Sequence, residues 1–322
     1  MLWLVDIGNS RVKVAWWDGA VRWRASLPSD PRLGAAEYHA LLAAALPVPP
    51  VLPAATAQGA TAPALPTPPG PRAAAGGAAV VAADAAVVAS VVPALVPAWT
   101  ALLKERVGVG AVLTAQELFA ADPTLAYEAI AHLGDDRVAN IVALRAALGG
   151  GRPGAGATLG ARPGAPGAPL FVVGLGTATT VDAWSFAAGY LGSTIACGLE
   201  VAAHALFAAA ALLPPVALEP PPAAACRDEP GALRSGLLLG HAGLVSGLLD
   251  RFSAELGPPA RVIATGGLAQ MVAPHVPAID EVWPDMTLIG LAQAYAAARG
   301  AARGASQDAC PGASQGANPG TS

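Results

Sequence analysis

The sequence predicts an α/β protein made of two similarly designed halves, and three observations carry that expectation. Leu170 to Asp182, LFVVGLGTATTVD, runs a buried-strand pattern into a glycine and threonine turn and then a second β-branched run. Leu2 to Val14, LWLVDIGNSRVKV, repeats the design around a tight turn at Asp6-Ile7-Gly8-Asn9-Ser10. Elsewhere strand patterns alternate with helical ones, the arrangement of an α/β fold. Either turn alone reads first as a plain β-hairpin. Two in one chain suggest a nucleotide held between them.

A polyphosphate asks for what these turns contain. Glycine lets the backbone come close, exposed N–H groups and hydroxyls donate to phosphate oxygens, and an acid at a strand end can hold the accompanying metal ion. Asp6, Gly8, Asn9, Ser10 and Lys13 supply the first set; Gly174, Gly176, Thr177, Thr179 and Thr180 supply the second.

In chain order, Asp18-Gly19 is a turn signal between Val12–Trp17 and Ala20–Ala25, which should pair as antiparallel strands with Trp16, Trp17 and Trp23 on core or sheet faces. Glu37–Ala45 reads as a short helix, and residues 47–77, dense in Pro, Ala, Gly and Thr, as a disordered or expanded loop. Ala85–Val92 is a buried strand stopped by Pro93, followed by a helix through Arg106 and a strand at Ala111–Leu113. A helix beginning near Asp136 runs through Val138, Ile141, Val142 and Leu144 to Leu148, with apolar residues at helical spacing. Residues 149–169 are a second low-complexity insertion.

Beyond LFVVGLGTATTVD the meander continues through Gly189-Tyr190-Leu191 into Ser193–Cys197, and Gly198-Leu199-Glu200 opens a helix through Ala211. Leu233–Leu256 is a long helix whose Gly236, Gly240, Gly243 and Gly247 make one face small, suited to close packing within the fold or against a second subunit. Arg261–Thr265 is a strand delivering Gly266-Gly267, Ile279–Val282 another, and Leu288–Ala298 a closing helix; Ala301–Ser322 reads as a disordered tail. The expected organisation is a first domain over 1–120, a second over 121–299 and a tail over 300–322.

Composition excludes several classes. A chain of 322 residues is long enough for two cores. Its hydrophobic content of 54% owes its excess largely to alanine, and only two of 18 basic residues are lysine, the bias a GC-rich genome writes. A net charge of −4 provides no polyanion-binding face and argues against a dedicated nucleic-acid binder. Cys197, Cys226 and Cys310 form neither a disulfide framework nor a metal cluster, as befits a reducing cytosol. Asp6 inside the first apolar run argues against a signal peptide. Asp84, Pro93 and Pro97 interrupt the longest apolar region, Ala73–Leu103, so no membrane span is expected.

Asp135 and Asp136 precede Arg137 at the start of a helix, where backbone N–H groups and the guanidinium favour charged carboxylates. One reading is an N-cap with a surface ion pair; the other is a base that accepts a hydroxyl proton, with the arginine gripping an acidic substrate. Gly266-Gly267 is either a strand-end turn or flat backbone for an adenine. The five histidines lack metal spacing and read as surface or core, and Cys197 has no neighbour in sequence that would make it a nucleophile.

Four of these segments occur together in a known family. Asp6-Ile7-Gly8-Asn9-Ser10, Gly134-Asp135-Asp136-Arg137 with Asn140, Gly176-Thr177-Ala178-Thr179-Thr180-Val181-Asp182, and Ala264-Thr265-Gly266-Gly267 follow the order and spacing of the type III pantothenate kinases. The chain resembles that family from Leu2 to about Ala298. The resemblance implies two ribonuclease H-like domains of the acetate and sugar kinase, heat-shock protein and actin superfamily, with a nucleotide cleft between them. It implies transfer of the γ-phosphate of ATP to pantothenate, the first step toward coenzyme A, by a cytoplasmic homodimer that uses magnesium and a monovalent cation, potassium or ammonium.

The resemblance also assigns residues. Asp6, Ile7, Gly8, Asn9, Ser10, Arg11, Val12 and Lys13 would form the first phosphate loop, with Asp6 near magnesium, and Thr177 would contact ATP in the second. Gly134, Asp135 and Arg137 would surround pantothenate, Arg137 facing its carboxylate, Asp136 would accept the proton, and Tyr127 would line the same pocket. The sequence departs from the family at three places. Gly174 stands where an aspartate usually binds the monovalent cation, Glu229 where a threonine usually contacts substrate, and Ala129-Ile130 where Asn-Pro usually follows the tyrosine. A carboxylate at Glu229 facing a carboxylate substrate is unfavourable unless it turns away or is protonated. Besides the active kinase, the sequence admits a non-catalytic relative acting as an accessory protein, or a kinase for another small hydroxy acid.

Overall fold

Leu2–Ile7 is apolar at every position but Asp6, and in the computed structural model it forms strand β1, buried along its whole length. The structure describes residues 1–46, 83, 85–107, 109–148, 167–210 and 212–308. β1 turns back antiparallel as β2 (Arg11–Trp17), and Asp18-Gly19, with Gly19 at φ 77°, turns β2 into β3 (Val21–Pro28). β4 (Ala85–Ser90) pairs parallel with β1, and β5 (Ala111–Thr114) parallel with β4, giving the order β3-β2-β1-β4-β5. The second half repeats this plan. β6 (Leu170–Leu175), β7 (Ala178–Ser185) and β8 (Gly189–Cys197) form the meander, and β9 (Arg261–Thr265) and β10 (Glu281–Val282) extend it in parallel, in the order β10-β9-β6-β7-β8. Two sheets of this shared connectivity are the ribonuclease H-like pair that the resemblance implies.

Both faces of each sheet are covered, which is why β1 and β6 read as continuous apolar runs and not as alternating ones. On the outer face of the first sheet, Trp3, Val5 and Ile7 pack with Tyr38 and Leu42 of α1 (Ala35–Ala45) and Trp99 of α2 (Val96–Ala101). Trp3, Trp16 and Trp23 lie against one another, with centroids 5.0–6.2 Å apart, as the sheet-face reading expects. On the outer face of the second sheet, Phe171, Val173 and Val181 pack with Leu238, Ala242, Val245 and Leu249 of α7 (Glu229–Leu256).

The inner faces share one core. Leu2, Leu4 and Val87 from the first sheet and Leu170, Val172 and Trp184 from the second enclose α3 (Ala115–Ala120), α5 (Asp135–Leu148) and α9 (Met286–Asp308). α9 crosses α5 at Gly290, where a Cβ would overlap the Ala139 carbonyl. Beside the crossing, the buried Thr287 hydroxyl donates to Asn140 Oδ1 at 3.0 Å. The helix that carries Asp135, Asp136 and Arg137 is thereby locked against α9.

Several boundaries differ from expectation. After Pro93 the chain makes a 3₁₀ turn (Pro93–Leu95), then α2, then a π turn over Leu102–Val107. α7 starts at Glu229 and not Leu233, because Asp228 caps it, accepting from the Gly231 N–H at 2.8 Å, and Pro230 fits the first turn. α9 continues to Asp308, past the expected start of the tail at Ala301, since its Ala-rich sequence keeps a high helix propensity. α6 (Leu199–Ala209) ends two residues short of the expected Ala211. α3, α4 (Tyr127–Ile130) and α8 (Ala269–Val272) are too short to leave a periodic signal. Residues 47–77, 149–166 and 309–322 lie outside the described residues. By length and composition α7 could cross a membrane, yet Leu238, Ala242, Val245 and Leu249 are buried against the second sheet.

Candidate active site

The two glycine-bearing loops, 167 residues apart in sequence, meet: Ser10 Oγ and Thr177 Oγ1 are hydrogen-bonded at 2.8 Å. Each loop is closed by its glycine N–H, over three residues in the first and two in the second. The Gly8 N–H donates to the Arg11 carbonyl at 3.0 Å and the Gly176 N–H to the Ala178 carbonyl at 3.1 Å. The second loop is braced from two sides by residues that must lack a side chain. Gly198 donates to the Thr177 carbonyl at 3.1 Å, and a Cβ on it would overlap the Gly176 and Thr177 carbonyls. Gly266, at φ 105°, presses likewise on the Leu175 carbonyl, which seats the Gly266-Gly267 turn directly beside this loop.

Acidic groups gather at the first loop. Asp6 is 5% exposed and pairs with Lys13 Nζ at 3.5 Å. Burial pushes its carboxyl up to about 6; Lys13 opposes the shift, while the charges of Asp136 and, less strongly, Asp135 add to it. Asp135, also buried, accepts from the Ser90 N–H at 3.0 Å and the Gln116 amide at 3.2 Å, so it ties the end of β4 and α3 to the start of α5. Burial raises its pKa against those two bonds. Tyr127 stands near enough for burial and then the Asp135 charge to raise its own pKa, and its ring packs on Phe119. The residue before it, Ala126, has φ 49°, left-handed backbone that a non-glycine residue rarely adopts.

Asp136 is half-buried, and its Oδ1 accepts from the Arg137 N–H at 2.9 Å. A Cβ at Gly134 would lie 2.8 Å from that oxygen and 2.9 Å from Val91, so glycine is what lets Asp136 and the end of β4 come together. Arg137 points at β7, where its Nε lies 3.1 Å from both oxygens of Asp182 and its Nη2 makes a further short bond to Oδ1. Burial opposes the charged guanidinium, and Asp182 more than offsets it, holding the Arg137 pKa above its ordinary value. Two turns on, Arg145 lies over the Trp184 ring at 5.6 Å, so α5 grips β7 at alternate residues of one face.

The opposite parity of β7 faces α7. Thr179 Oγ1 lies 2.9 Å from His241 Nε2, both buried. His241 reads in the sequence as surface or core, and Asp182 has no role there beyond its place in the second turn motif. The strand alternation of β7 carried the signal for Asp182, whereas nothing local marks a histidine 62 positions from its partner. Gly174 pairs with Thr180 across the hairpin, and a Cβ there would lie 2.6 Å from Thr180 Oγ1. Glu229 is exposed at the head of α7 and is not among the groups that act on Asp6 or Asp135. Among the described residues, no cluster of three or more His, Cys, Asp or Glu groups is arranged to hold a metal ion.

Comparison with known proteins gives this arrangement a family. A profile described as type III pantothenate kinase matches residues 72–251. The type III pantothenate kinase of Moorella thermoacetica is 34% identical over 209 residues, 65% of this chain and 75% of that protein. That of Acidiphilium cryptum is 30% identical over 292 residues, 89% of this chain and 91% of that protein. That of Thermomicrobium roseum is 43% identical over 129 residues, 40% of this chain and half of that protein. The profile match runs through Gly134–Arg137 and Gly176–Asp182, the segments that meet in this site, and the chain belongs to the type III pantothenate kinase family.

Proposed function

We infer that this chain transfers the γ-phosphate of ATP to the primary hydroxyl of pantothenate, giving 4′-phosphopantothenate, the first step of coenzyme A biosynthesis. Family membership supports the reaction. The observation that carries the site is the convergence of three segments: Ser10 touches Thr177, and Asp136 acts on buried Asp6. The loop Asp6–Lys13 and Thr177 receive the phosphates, and a phosphate bridging both loops replaces the Ser10–Thr177 hydrogen bond. Asp136 accepts the proton as the hydroxyl oxygen attacks phosphorus, a role worth roughly 10²–10⁴ in rate. Gly134, Asp135 and Tyr127 shape the pantothenate pocket. Arg137 spends Nε and Nη2 on Asp182, so Nη1 is the end that meets the substrate carboxylate.

A magnesium ion fits Asp6. Its carboxylate is buried among negative charges with Lys13 as its cationic partner, and one carboxylate plus phosphate oxygens is how magnesium is ordinarily held at such sites. Bound there, it neutralises charge on the transferring phosphate. The residues do not fit a monovalent cation at Gly174, which has no donor side chain and whose missing Cβ space is closed by Thr180 Oγ1.

The assembly we propose is a cytoplasmic homodimer of lobes 1–120 and 121–299, with no nucleic-acid or membrane partner. Gly236, Gly240, Gly243 and Gly247 of α7 all face outward, with nothing within 4 Å of a Cβ on any of them. Leu244 on the same helix and Val201 and Leu206 on α6 are 38%, 41% and 36% exposed. Such a small, apolar face suits close packing of a second copy. Glu229 is proposed as a substrate contact supplied across that interface, since within one chain α7 carries it exposed. Incubation of purified protein with ATP, magnesium and pantothenate should yield 4′-phosphopantothenate by mass spectrometry; phosphorylation of other hydroxy acids in its place would overturn the assignment.

A further inference from the structure

Beneath the second phosphate loop, α7 inserts one polar side chain into an apolar layer. His241 is 7% exposed, and its Nε2 lies 2.9 Å from the hydroxyl of Thr179, which is 0% exposed. Val181 on the same face of β7 and Leu238, Ala242 and Val245 on α7 belong to the apolar core between this sheet and α7. Burial lowers the pKa of His241, which leaves a neutral imidazole able to donate to or accept from the threonine. A hydrogen bond in such a place is worth more than an exposed one, and losing one partner strands the other.

The position of Thr179 gives the bond a consequence. Thr179 pairs with Leu175 across the hairpin, the last rung before the Gly176–Thr177 turn, and stands two residues from the hydroxyl that meets Ser10. The neighbouring residues of opposite parity face the other way, Asp182 toward Arg137 of α5. The rung is thus held by the outer helix from behind while its other side faces the site. We propose that His241 is a positioning residue for ATP: by fixing Thr179 it sets where the Thr177 hydroxyl stands.

This rests on the reading of that loop as an ATP loop, so the test measures nucleotide binding apart from turnover. Titration calorimetry of full-length protein with a non-hydrolysable ATP analogue is compared for wild type, His241→Leu, His241→Gln and Thr179→Val. His241→Leu, similar in volume but without the bond, should weaken analogue binding about fivefold to tenfold. Its KM for pantothenate should stay within about twofold, and His241→Gln should restore most of the loss. Thr179→Val should reproduce the effect, and the double variant should add nothing further. A folded His241→Leu that binds the analogue as wild type does, parallel loss of affinity for both substrates, or additive single losses would overturn the proposal. Should His241→Leu fail to fold, Thr179→Val against His241→Gln decides it by the same criteria. Wild-type protein that binds no analogue would instead overturn the ATP reading beneath it.

Discussion

Asp6 is a buried acid at the first loop, where stability and the proposed magnesium site meet. Its carboxyl is pushed from 3.8 to about 6, chiefly by burial. For a group whose folded pKa exceeds its unfolded one, the favourable contribution is complete below the unfolded value and is lost as pH rises through the folded value. Metal-free protein should therefore lose on the order of 2–3 kcal/mol of stability between about pH 4 and about pH 6 relative to Asp6→Asn, which thermal melts across that range would detect. Magnesium favours the ionised form, so binding of the magnesium–ATP complex should weaken below about pH 6 in wild type, as titration at two pH values would show.

Asp182 offers a second test at the same scale. Asp182→Asn loosens the fork on Arg137 and should raise KM for pantothenate about tenfold with a smaller change in kcat, while removing charge from the buried pair costs roughly 3 kcal/mol. The meeting of the Asp6–Lys13 and Gly176–Thr177 turns was legible in the sequence, because each turn carries its glycine and polar residues in a local pattern. Asp182 and His241 were not, since their partners come from helices far away in the chain and only packing brings them together.

At the scale of elements, the strands were the most legible part. β1, β2, β6 and β9 follow from β-branched runs bounded by turn residues, and the alternation of β7 specifies which side chains meet α5 and which meet α7. The crossing of α5 by α9 was not legible, because it depends on Gly290 meeting a carbonyl from a distant helix. Gly290→Ala has no room and should cost about 1–3 kcal/mol with a lower melting temperature. Gly240→Ala, on the open face of α7, should stabilise the isolated chain by about 0.5–1 kcal/mol through helix propensity. A matched pair of thermal melts distinguishes a packed glycine from an exposed one.

For the whole molecule, two sheets of one topology enclose a shared layer of helices, and the site lies where the first-strand loops of both sheets meet the start of one of those helices. The strand patterns predict both sheets and their hairpin loops. They could not predict that α9 would join the layer between them, because that placement depends on contacts with both sheets at once. At the same scale, Gly240→Leu should disturb the outward face of α7 and shift the protein from dimer to monomer in gel filtration, while a wild-type monomer would remove the proposed interface. The proposed protein is an active kinase whose base is Asp136 and which holds no monovalent cation at Gly174. Pantothenate-dependent ATP consumption, measured for wild type and Asp136→Asn in potassium and in sodium, decides both points. The expected result is turnover equal in both salts and reduced about 10²–10⁴-fold in the variant; nucleotide binding without pantothenate-dependent turnover, or an Asp136→Asn protein as fast as wild type, would contradict it.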